Sequence, residues 1–358
     1  GIVSKDDLVI TGGTYKIAAA DNGITAKDQI KILNGSFGID AANSAVKAKN
    51  TDDAELGNIY IAGGIFTIEA EQDGFHATGS IVVDDGTITV NSGDDGFHAE
   101  LDTVIHGGTI LVEKSNEGLE GKRVVVNGGD ITVNASDDGA NAAGSGDDDS
   151  NAASSNDDSS AVVNSGDDGS ISGAADGKEP PQMPPDTENG SDMQPSQDFD
   201  PENAPSDGNA PQDFDPGNAP SDGDVPQMMQ GGPGGGGNSE LYIKITGGTL
   251  TVSADGDGLD SNGGLLVTGG TTIVYGPTSD GDSALDYDGS AIVTGGTLAA
   301  IGSAGMTESF DEASTQPVIT YYCTETQSAD TIITLTDSDG SALFTVTPEK
   351  AYASIVLT

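Results

Sequence analysis

The sequence predicts an all-β protein, a right-handed parallel β-helix of about nine coils with a C-terminal antiparallel β cap. The first observation is a repeat: "TGGT", or a close variant, returns about every 22 residues between two short apolar runs. The second is that each repeat contains three short β-rich segments. The third is that the 358 residues include no tryptophan, only 8 tyrosines and only 8 phenylalanines. A period this short is typical of a solenoid, in which each repeat is one coil stacked on the last.

The glycine pairs set the register of the repeat. Their second glycines are Gly13, Gly35, Gly64, Gly86, Gly108, Gly129, Gly248, Gly270 and Gly296. Glycine is favoured where the backbone takes a conformation that side chains disfavour, so we expect these positions to form the same corner in every coil. The pairs do not match the glycine patterns of nucleotide-binding loops.

Each predicted coil contains three strands. In one repeat, the apolar run at 81–83 precedes the glycine corner, a β-rich run at 87–90 follows it, and an Asp-Gly turn then leads to the short segment "FHA". Equivalent strands of successive coils run in the same direction, so they should pair in parallel. A right-handed path is the rule for such crossovers.

One long segment interrupts the repeats. Residues 1–144 contain the first six coils, and residues 239–314 contain the others. Residues 145–238 hold 12 of the 15 prolines and 20 acidic residues against one lysine. This composition cannot bury enough apolar surface to offset the entropy of ordering, so we expect a disordered acidic Pro/Gly-rich loop inserted into a continuous solenoid.

The last residues change in character. Residues 315–358 contain three segments typical of antiparallel strands, with an Asp-Gly hairpin at Asp339-Gly340. The last coil of a solenoid would otherwise expose unpaired strand edges. We therefore expect this segment to cap the final coil.

The charge excludes several classes of partner. The formal net charge is −47, with only 12 basic residues. Binding to nucleic acid or to an anionic membrane surface needs clustered Lys and Arg, which the chain lacks. Cys323 is the only cysteine, so no disulfide framework or cysteine-based metal site is predicted. A surface this acidic repels itself unless cations screen it or bind to it.

The repeat register places many of the acidic residues in columns. One column occupies the turn before the third strand, where it includes Asn43 and Asp282 as well as most of the candidates below, and a second occupies the middle of that strand. Carboxylates stacked about 4.8 Å apart repel one another, and Ca²⁺ removes that repulsion by taking six to eight oxygen ligands. The candidate calcium ligands are Asp73, Asp94, Asp95, Glu117, Asp137, Asp138, Asp255, Asp257 and Asp260. Any one of them is also explained as an ordinary Asp-Gly turn.

Two histidines occupy equivalent positions in neighbouring coils. His76 and His98 each lie in an "FHA" segment and should stack on one another. Such a pair could bind a transition metal or act as an acid and a base, or it could form a half-buried polar ladder. The same column supplies the other candidate ligand-binding residues, Glu120, Asn141 and Asp286.

The series of segments "TGGT", "DDGFHA", "EGLEG" and "GLDSNG" resembles a family of bacterial secreted or cell-surface carbohydrate-binding domain proteins. These proteins are right-handed parallel β-helices similar in shape to pectate lyases. The resemblance implies calcium bound by the acidic turns and binding of plant cell-wall polysaccharide, especially acidic glycans such as polygalacturonate. We therefore expect a non-catalytic, calcium-dependent binder of pectin-like polysaccharide, monomeric, and secreted or attached to the cell surface after removal of a signal peptide or lipid anchor.

Other classes of function remain open. A polysaccharide lyase of this shape would need a basic residue to take a proton, and Lys122-Arg123 is the only adjacent basic pair. A hydrolase would need two carboxyl groups about 5 to 9.5 Å apart, which stacked aspartates could supply. A surface adhesin with a structural role and a protein partner is the third class.

Overall fold

The computed structural model of the chain describes residues 1–53, 55–144 and 238–358. Apart from its last residue, the predicted disordered insertion at 145–238 lies outside the described residues. Within the described ranges, the regular elements are β-strands, three per coil, and they form the predicted parallel β-solenoid of about nine coils. No helix in these ranges is long and apolar enough to cross a membrane.

One sheet, which we call sheet A, is made of the third strand of each repeat. Its nine strands pair in parallel, each with the next in chain order. They are β1 (Ile2–Val3), β4 (Ile24–Ala26), β7 (Val46–Ala48), β10 (Phe75–Ala77), β13 (Phe97–Ala99), β16 (Leu119–Gly121), β19 (Ala140–Ala142), β22 (Leu259–Ser261) and β24 (Leu285–Tyr287). The glycine register did not include β1, which precedes the first glycine pair and pairs with β4.

The two other strands of each coil belong to a second, 18-stranded sheet. The strands before the glycine corner are β2 (Asp7–Ile10), β5 (Gln29–Ile32), β8 (Asn58–Ile61), β11 (Ile81–Val83), β14 (Asp102–Ile105), β17 (Arg123–Val126) and β20 (Tyr242–Ile245). The strands after it are β3 (Thr14–Ala19), β6 (Ser36–Ala41), β9 (Ile65–Ala70), β12 (Thr87–Ser92), β15 (Thr109–Ser115), β18 (Asp130–Ala135) and β21 (Thr249–Ala254). In the last two coils both strands run on through the corner as β23 (Gly264–Tyr275) and β25 (Ala291–Gly302).

The coils on either side of the insertion stack directly on one another. Strand β17 pairs with β20, β18 with β21, and β19 with β22, all in parallel. The sixth and seventh coils are therefore neighbours in the solenoid, although 119 residues separate equivalent positions such as Asp138 and Asp257.

The glycine corners have the predicted conformation. All nine second glycines have positive φ, from 77° at Gly248 to 140° at Gly35. The corners also stack closely: a Cβ at Gly248 would lie 2.6 Å from the carbonyl carbon of Gly128. Both the backbone conformation and the spacing between coils therefore favour glycine at this position.

The core is a stack of apolar side chains inside the coils. Near the N-terminal end it includes aromatic rings in register, with the ring centroids of Phe37 and Phe66 4.7 Å apart and nearly parallel. Phe75 and Phe97 stack at the same distance on the facing side. These four rings are almost fully buried, so a small number of aromatic residues fills much of the second to fourth coils.

The C-terminal residues form the predicted antiparallel structure. Strand β29 (Tyr352–Leu357) pairs antiparallel with the second half of β25 and with β26 (Ile319–Gln327). Strands β27 (Ile333–Thr336) and β28 (Ala342–Val346) form a hairpin whose turn includes Gly340 at a φ of 83°. Since β29 occupies the free edge of β25, the last coil is capped.

We predict that Phe66→Ala lowers the free energy of unfolding by about 3–5 kcal/mol, because it leaves a cavity between stacked coils. The neighbouring Ile65 points outward and is 56% exposed, so Ile65→Ala is the matched control and should cost well under half as much. Chemical denaturation followed by circular dichroism measures both. Equal losses in the two variants would contradict the inward stack.

Candidate metal and ligand site

The candidate site is built on the turn that precedes each strand of sheet A. We define the turn column as the residue directly before the glycine or alanine that leads into this strand: Asn22, Ser44, Asp73, Asp95, Glu117, Asp138, Asp257 and Ser283. Backbone hydrogen bonds connect the column from coil to coil; for example, the Gly74 N–H donates to the carbonyl of Asp95, and the Gly96 N–H to that of Glu117. The column is acidic from the third coil to the seventh.

The strand column is the outward-facing middle residue of each sheet A strand. Its members pair in register from one coil to the next: Thr25, Lys47, His76, His98, Glu120, Asn141, Asp260 and Asp286. This is the column that the glycine register predicted. The two columns run side by side, so turn and strand residues of one coil face the same region.

The turn column differs from its prediction at both ends. The register placed Asn43 and Asp282 in it, whereas the structure has Ser44 and Ser283 there, one residue later. Asn43 and Asp282 belong instead to a parallel outer position that also contains Asp94 and Asp137. Ser44 keeps the usual spacing of nine residues after its corner glycine, Gly35, so the prediction placed Asn43 one residue early. In the eighth coil the turn is longer, and Ser283 lies 13 residues after Gly270.

Asp255 lies apart from the other predicted ligands. Its side chain is 72% exposed and its Oδ1 pairs with Lys350 Nζ at 2.8 Å. Lys350 comes from the C-terminal cap, so the sequence repeat carried no signal of this partner. Asp255 is therefore occupied by a salt bridge outside the turn column.

Many turn-column side chains bond the next coil. The Glu117 N–H donates to Asp95 Oδ1 at 3.1 Å, and the Asp257 N–H donates to Asp138 Oδ1 at 2.6 Å. Asn22 accepts in the same way from the Ser44 N–H. Each such residue thus ties its coil to the next, which is a structural role that Asn performs as well as Asp. The carboxylates keep one further oxygen that this bond does not use.

The fifth to seventh coils contain a group of oxygen-bearing side chains from both columns. We call this group the oxygen segment: Glu117, Asp138, Asn141, Asp257 and Asp260. Asn141 Nδ2 donates to Glu117 Oε2 at 3.1 Å. The Oδ1 atom of the same amide is buried, and no hydrogen-bond donor in the described part of the chain reaches it. A buried amide oxygen without a donor is a position that a cation would satisfy.

Room for the carboxylates comes from Gly256. A Cβ at this position would lie 2.6 Å from Asp137 Oδ1 and 2.7 Å from Asp138 Oδ1. Both carboxylates of the sixth coil therefore reach over the turn of the seventh, where any larger residue would collide with them. Asp137 and Asp138 thus place oxygens from one coil beside those of Asp257 in the next.

Burial and like charge make the oxygen segment electrostatically strained. Burial, together with Glu120, Asp95 and Asp138, raises the pKa of Glu117 to about 10. Burial and the charges of Asp260 and Asp257 raise the pKa of Asp138 to about 8. Burial and the charge of Asp286 raise the pKa of Asp257 to about 6. In each case burial and neighbouring carboxylates disfavour the ionised form.

Two earlier coils contain the histidines, and we call this group the histidine segment: Asp73, His76, Asp95, His98 and Glu120. The two imidazole rings stack with centroids 4.8 Å apart and an interplanar angle of 5°. His76 Nδ1 contacts Asp73 Oδ2 at 2.8 Å, and His98 Nδ1 contacts Asp95 Oδ2 at 3.0 Å. Both aspartates are only 6% exposed. Residues of this segment, together with Asp94, form three groups of potential metal ligands. Within each group the ligand atoms lie within 4.8 Å of one another.

The pKa values of the buried acids differ within this segment. Although burial raises it, the hydrogen bond and charge of His76 leave the pKa of Asp73 below its usual range. Burial raises the pKa of Asp95 to about 8, helped by the charge of Glu120 and opposed by His98. Burial and the charge of Asp73 raise the pKa of Asp94. The histidines thus relieve only part of the repulsion.

Sequence reasoning missed Glu308. This residue follows the ninth coil, outside any repeat, yet it reaches the last strand-column carboxylate, Asp286. Burial and Asp286 raise the pKa of Glu308 to about 7, and its Oε2 is buried with no partner among the described residues. Burial also raises the pKa of Asp286. No periodic signal could have found Glu308, because it comes from a loop that returns against the column.

We predict that, in chelator, the unfolding temperature falls by several degrees as pH rises from about 5 to 9. The folded-state pKa values of Asp257, Asp138 and Glu117 lie above their ordinary values. Across that window the folded chain keeps protons that the unfolded chain has released, so rising pH favours unfolding. Differential scanning fluorimetry across a pH series measures the slope.

The matched control separates this column from the general charge of the protein. Glu117→Gln with Asp138→Asn should flatten the slope, since the neutral amides no longer lose protons. Asp130→Asn should leave the slope steep, because Asp130 is exposed and begins β18, at the end of that strand away from the turn column. A slope unchanged in the double variant would show that these carboxylates do not carry the effect.

Comparison with known families finds one match. A family described as "Carbohydrate-binding domain-containing protein" matches residues 1–169, a little under half of the chain. That stretch covers the first six coils, including the histidine segment and the acids of the fourth to sixth coils. No curated protein and no solved structure matches the chain significantly. The N-terminal coils are thus similar to a carbohydrate-binding family.

Proposed function

We propose that this protein is a non-catalytic binder of acidic polysaccharide and that it binds the glycan through Ca²⁺ held by the oxygen segment. The observation that carries the proposal is the buried, unpartnered Oδ1 of Asn141 beside carboxylates whose pKa values are raised. Side-chain oxygens of three successive coils adjoin one another there: Asn141 bonds Glu117, and the charges of Asp257 and Asp260 act on Asp138.

Calcium suits this donor set. Ca²⁺ takes six to eight oxygens, from carboxylates, amide carbonyls and water, in a flexible geometry. Glu117, Asp138, Asp257 and Asp260 offer carboxylates, and Asn141 offers an amide oxygen. Mg²⁺ is a poorer match, because it demands near-ideal octahedral geometry and gives up its water reluctantly.

The glycan class follows from charge and repetition. A chain with a net charge of −47 repels an acidic polymer, unless a cation coordinates carboxylates on both partners. The strand column is only half buried, so an ion held there keeps coordination positions open to a ligand. A solenoid presents equivalent groups at a fixed spacing, which suits a polymer that repeats its own carboxylates. Pectin-like glycans such as polygalacturonate have that chemistry, and the match of residues 1–169 to a carbohydrate-binding family supports a sugar ligand.

The adjacent basic pair gives little support to a lyase. Arg123 forms a two-pronged salt bridge with Asp102, in which Nη2 lies 2.8 Å from Oδ2 and Nε contacts Oδ1. Asp102 is almost fully buried. A guanidinium held this way stabilises the contact between two coils, and taking a proton from a sugar would require its release. A wall-binding role also implies a location outside the cell, secreted or attached to the surface, and a single chain is sufficient for it.

We predict that the protein is retained on insoluble pectate in the presence of Ca²⁺ and released by chelator. Glu117→Gln and Asp138→Asn should each weaken binding about tenfold or more, because each removes a carboxylate ligand. Asp130→Asn, an exposed acid on β18, should bind as the parent does. Sedimentation of the pectate with bound protein, over a series of Ca²⁺ concentrations, gives the affinities.

Three results would contradict the proposal. Binding that survives chelator would exclude the calcium bridge. Unsaturated oligosaccharides, detected by their ultraviolet absorption, would show a lyase. An array of acidic and neutral glycans without any hit would favour an adhesin with a protein partner.

A further inference from the structure

The strongest unexplained feature outside the oxygen segment is the environment of His98. Its Nδ1 atom lies 3.0 Å from Asp95 Oδ2 and is also in close contact with Glu120 Oε2. An imidazole nitrogen carries at most one proton, so a single N–H faces two carboxylates. One proton cannot make two good hydrogen bonds in different directions. A metal ion in place of that proton would be bonded to all three atoms.

Burial increases the need for a positive charge at this point. Asp95 is 6% exposed, and its other oxygen already accepts the Glu117 N–H. The carboxylates of Asp95, Glu100 and Glu120 also surround the ring of His98. This concentration of negative charge favours a divalent cation bound to the ring.

The second ring nitrogen has the partner expected of a metal ligand. His98 Nε2 lies 3.8 Å from Glu100 Oε1. Histidines that bind metals commonly direct their other nitrogen toward a carboxylate, which orients the ring and raises its basicity. Glu100, which lies outside both columns, is beyond hydrogen-bond distance but close enough to attract the proton of this nitrogen.

The stacked rings limit how a metal can bind. A metal lies close to the plane of the imidazole that binds it, at about 2.0–2.1 Å from the nitrogen. The planes of His76 and His98 are nearly parallel and their centroids are 4.8 Å apart, so one ion cannot lie in both planes. His76 with Asp73 therefore forms a separate, poorer pair with two protein ligands, and His98 is the better centre with three.

We propose that His98 Nδ1, Asp95 and Glu120 form a site for a first-row transition metal of the Zn²⁺ class. One nitrogen and two carboxylates are a donor set for Zn²⁺ or Co²⁺, whereas Ca²⁺ prefers oxygen donors alone. Three protein ligands leave a fourth position open. The site is distinct from the oxygen segment and does not depend on the proposed calcium function.

Cobalt titration of the full chain without a histidine tag tests the proposal. In buffer with excess Ca²⁺ near pH 7.5, Co²⁺ should bind with one tight site and give visible d–d absorption, and Zn²⁺ should displace it. His98→Gln should weaken Co²⁺ binding at least tenfold. Because protons compete for Nδ1, the affinity should also fall as pH is lowered toward 6.

Matched variants keep the outcomes separate. Glu117→Gln, in the oxygen segment, should leave the Co²⁺ spectrum unchanged, and His98→Gln should leave calcium-dependent retention on pectate unchanged. His76→Gln should reduce Co²⁺ affinity less than His98→Gln does. Circular dichroism and the unfolding temperature establish that each variant is folded; His98→Asn replaces His98→Gln if that variant is not.

Two results would overturn the proposal. One is the absence of a Co²⁺ spectrum and of Zn²⁺ binding heat in the parent chain, which would identify His98 as an imidazolium paired with its carboxylates. The other is equal Co²⁺ affinity in the parent and in a folded His98 variant. Failure of pectate binding with an intact Co²⁺ spectrum would reject the proposed function and leave this site standing.

Discussion

In-register hydrogen bonding between successive coils is the constraint on which the rest of this structure depends. Each strand of the solenoid coils pairs in parallel with its counterpart one coil away, so most side chains lie over the equivalent residue of the neighbouring coil. The glycine corners maintain this register because they allow coils to approach at a point where a Cβ would meet the backbone of the previous coil. Similar residues therefore meet at short range along the whole solenoid, whatever their chemistry.

Inside the coils this constraint is favourable. Apolar residues stack on apolar residues, and the register alone brings rings such as Phe37 and Phe66 face to face. On the outer side of sheet A the same constraint is unfavourable, because carboxylates meet carboxylates. The same repeat that stabilises the core thus brings together the buried carboxylates whose pKa values are raised, such as those of Asp138 and Glu117.

The repeat also explains how far the sequence alone could predict the structure. Strands, corners and the strand column follow from a periodic signal, so the pairing of His76 with His98 was accessible from spacing. The prediction of the turn column was one residue out at Asn43, although Ser44 keeps the usual spacing from Gly35, and at Asp282, where the turn is longer than in the other coils. The periodic pattern of the sequence cannot predict contacts made by segments outside the repeat. Lys350 reaches Asp255 from the cap, and Glu308 reaches Asp286 from a loop.

Repulsion between the carboxylates of the turn and strand columns is reduced in different ways along the solenoid. This difference is why we propose two kinds of ion on the outer side of sheet A. In the first two coils the turn residues are Asn22 and Ser44, which carry no charge. In the next two, His76 and His98 place rings that can hold positive charge beside the buried aspartates. From Glu117 to Asp257 every turn-column residue is acidic, and Asn141 is the one uncharged residue of the strand column beside them. The Asp257 N–H bonds only one oxygen of Asp138. The classes of the two proposed ions follow from the donors at each place: nitrogen with oxygen at His98, and oxygen alone at Asp138 and Asn141.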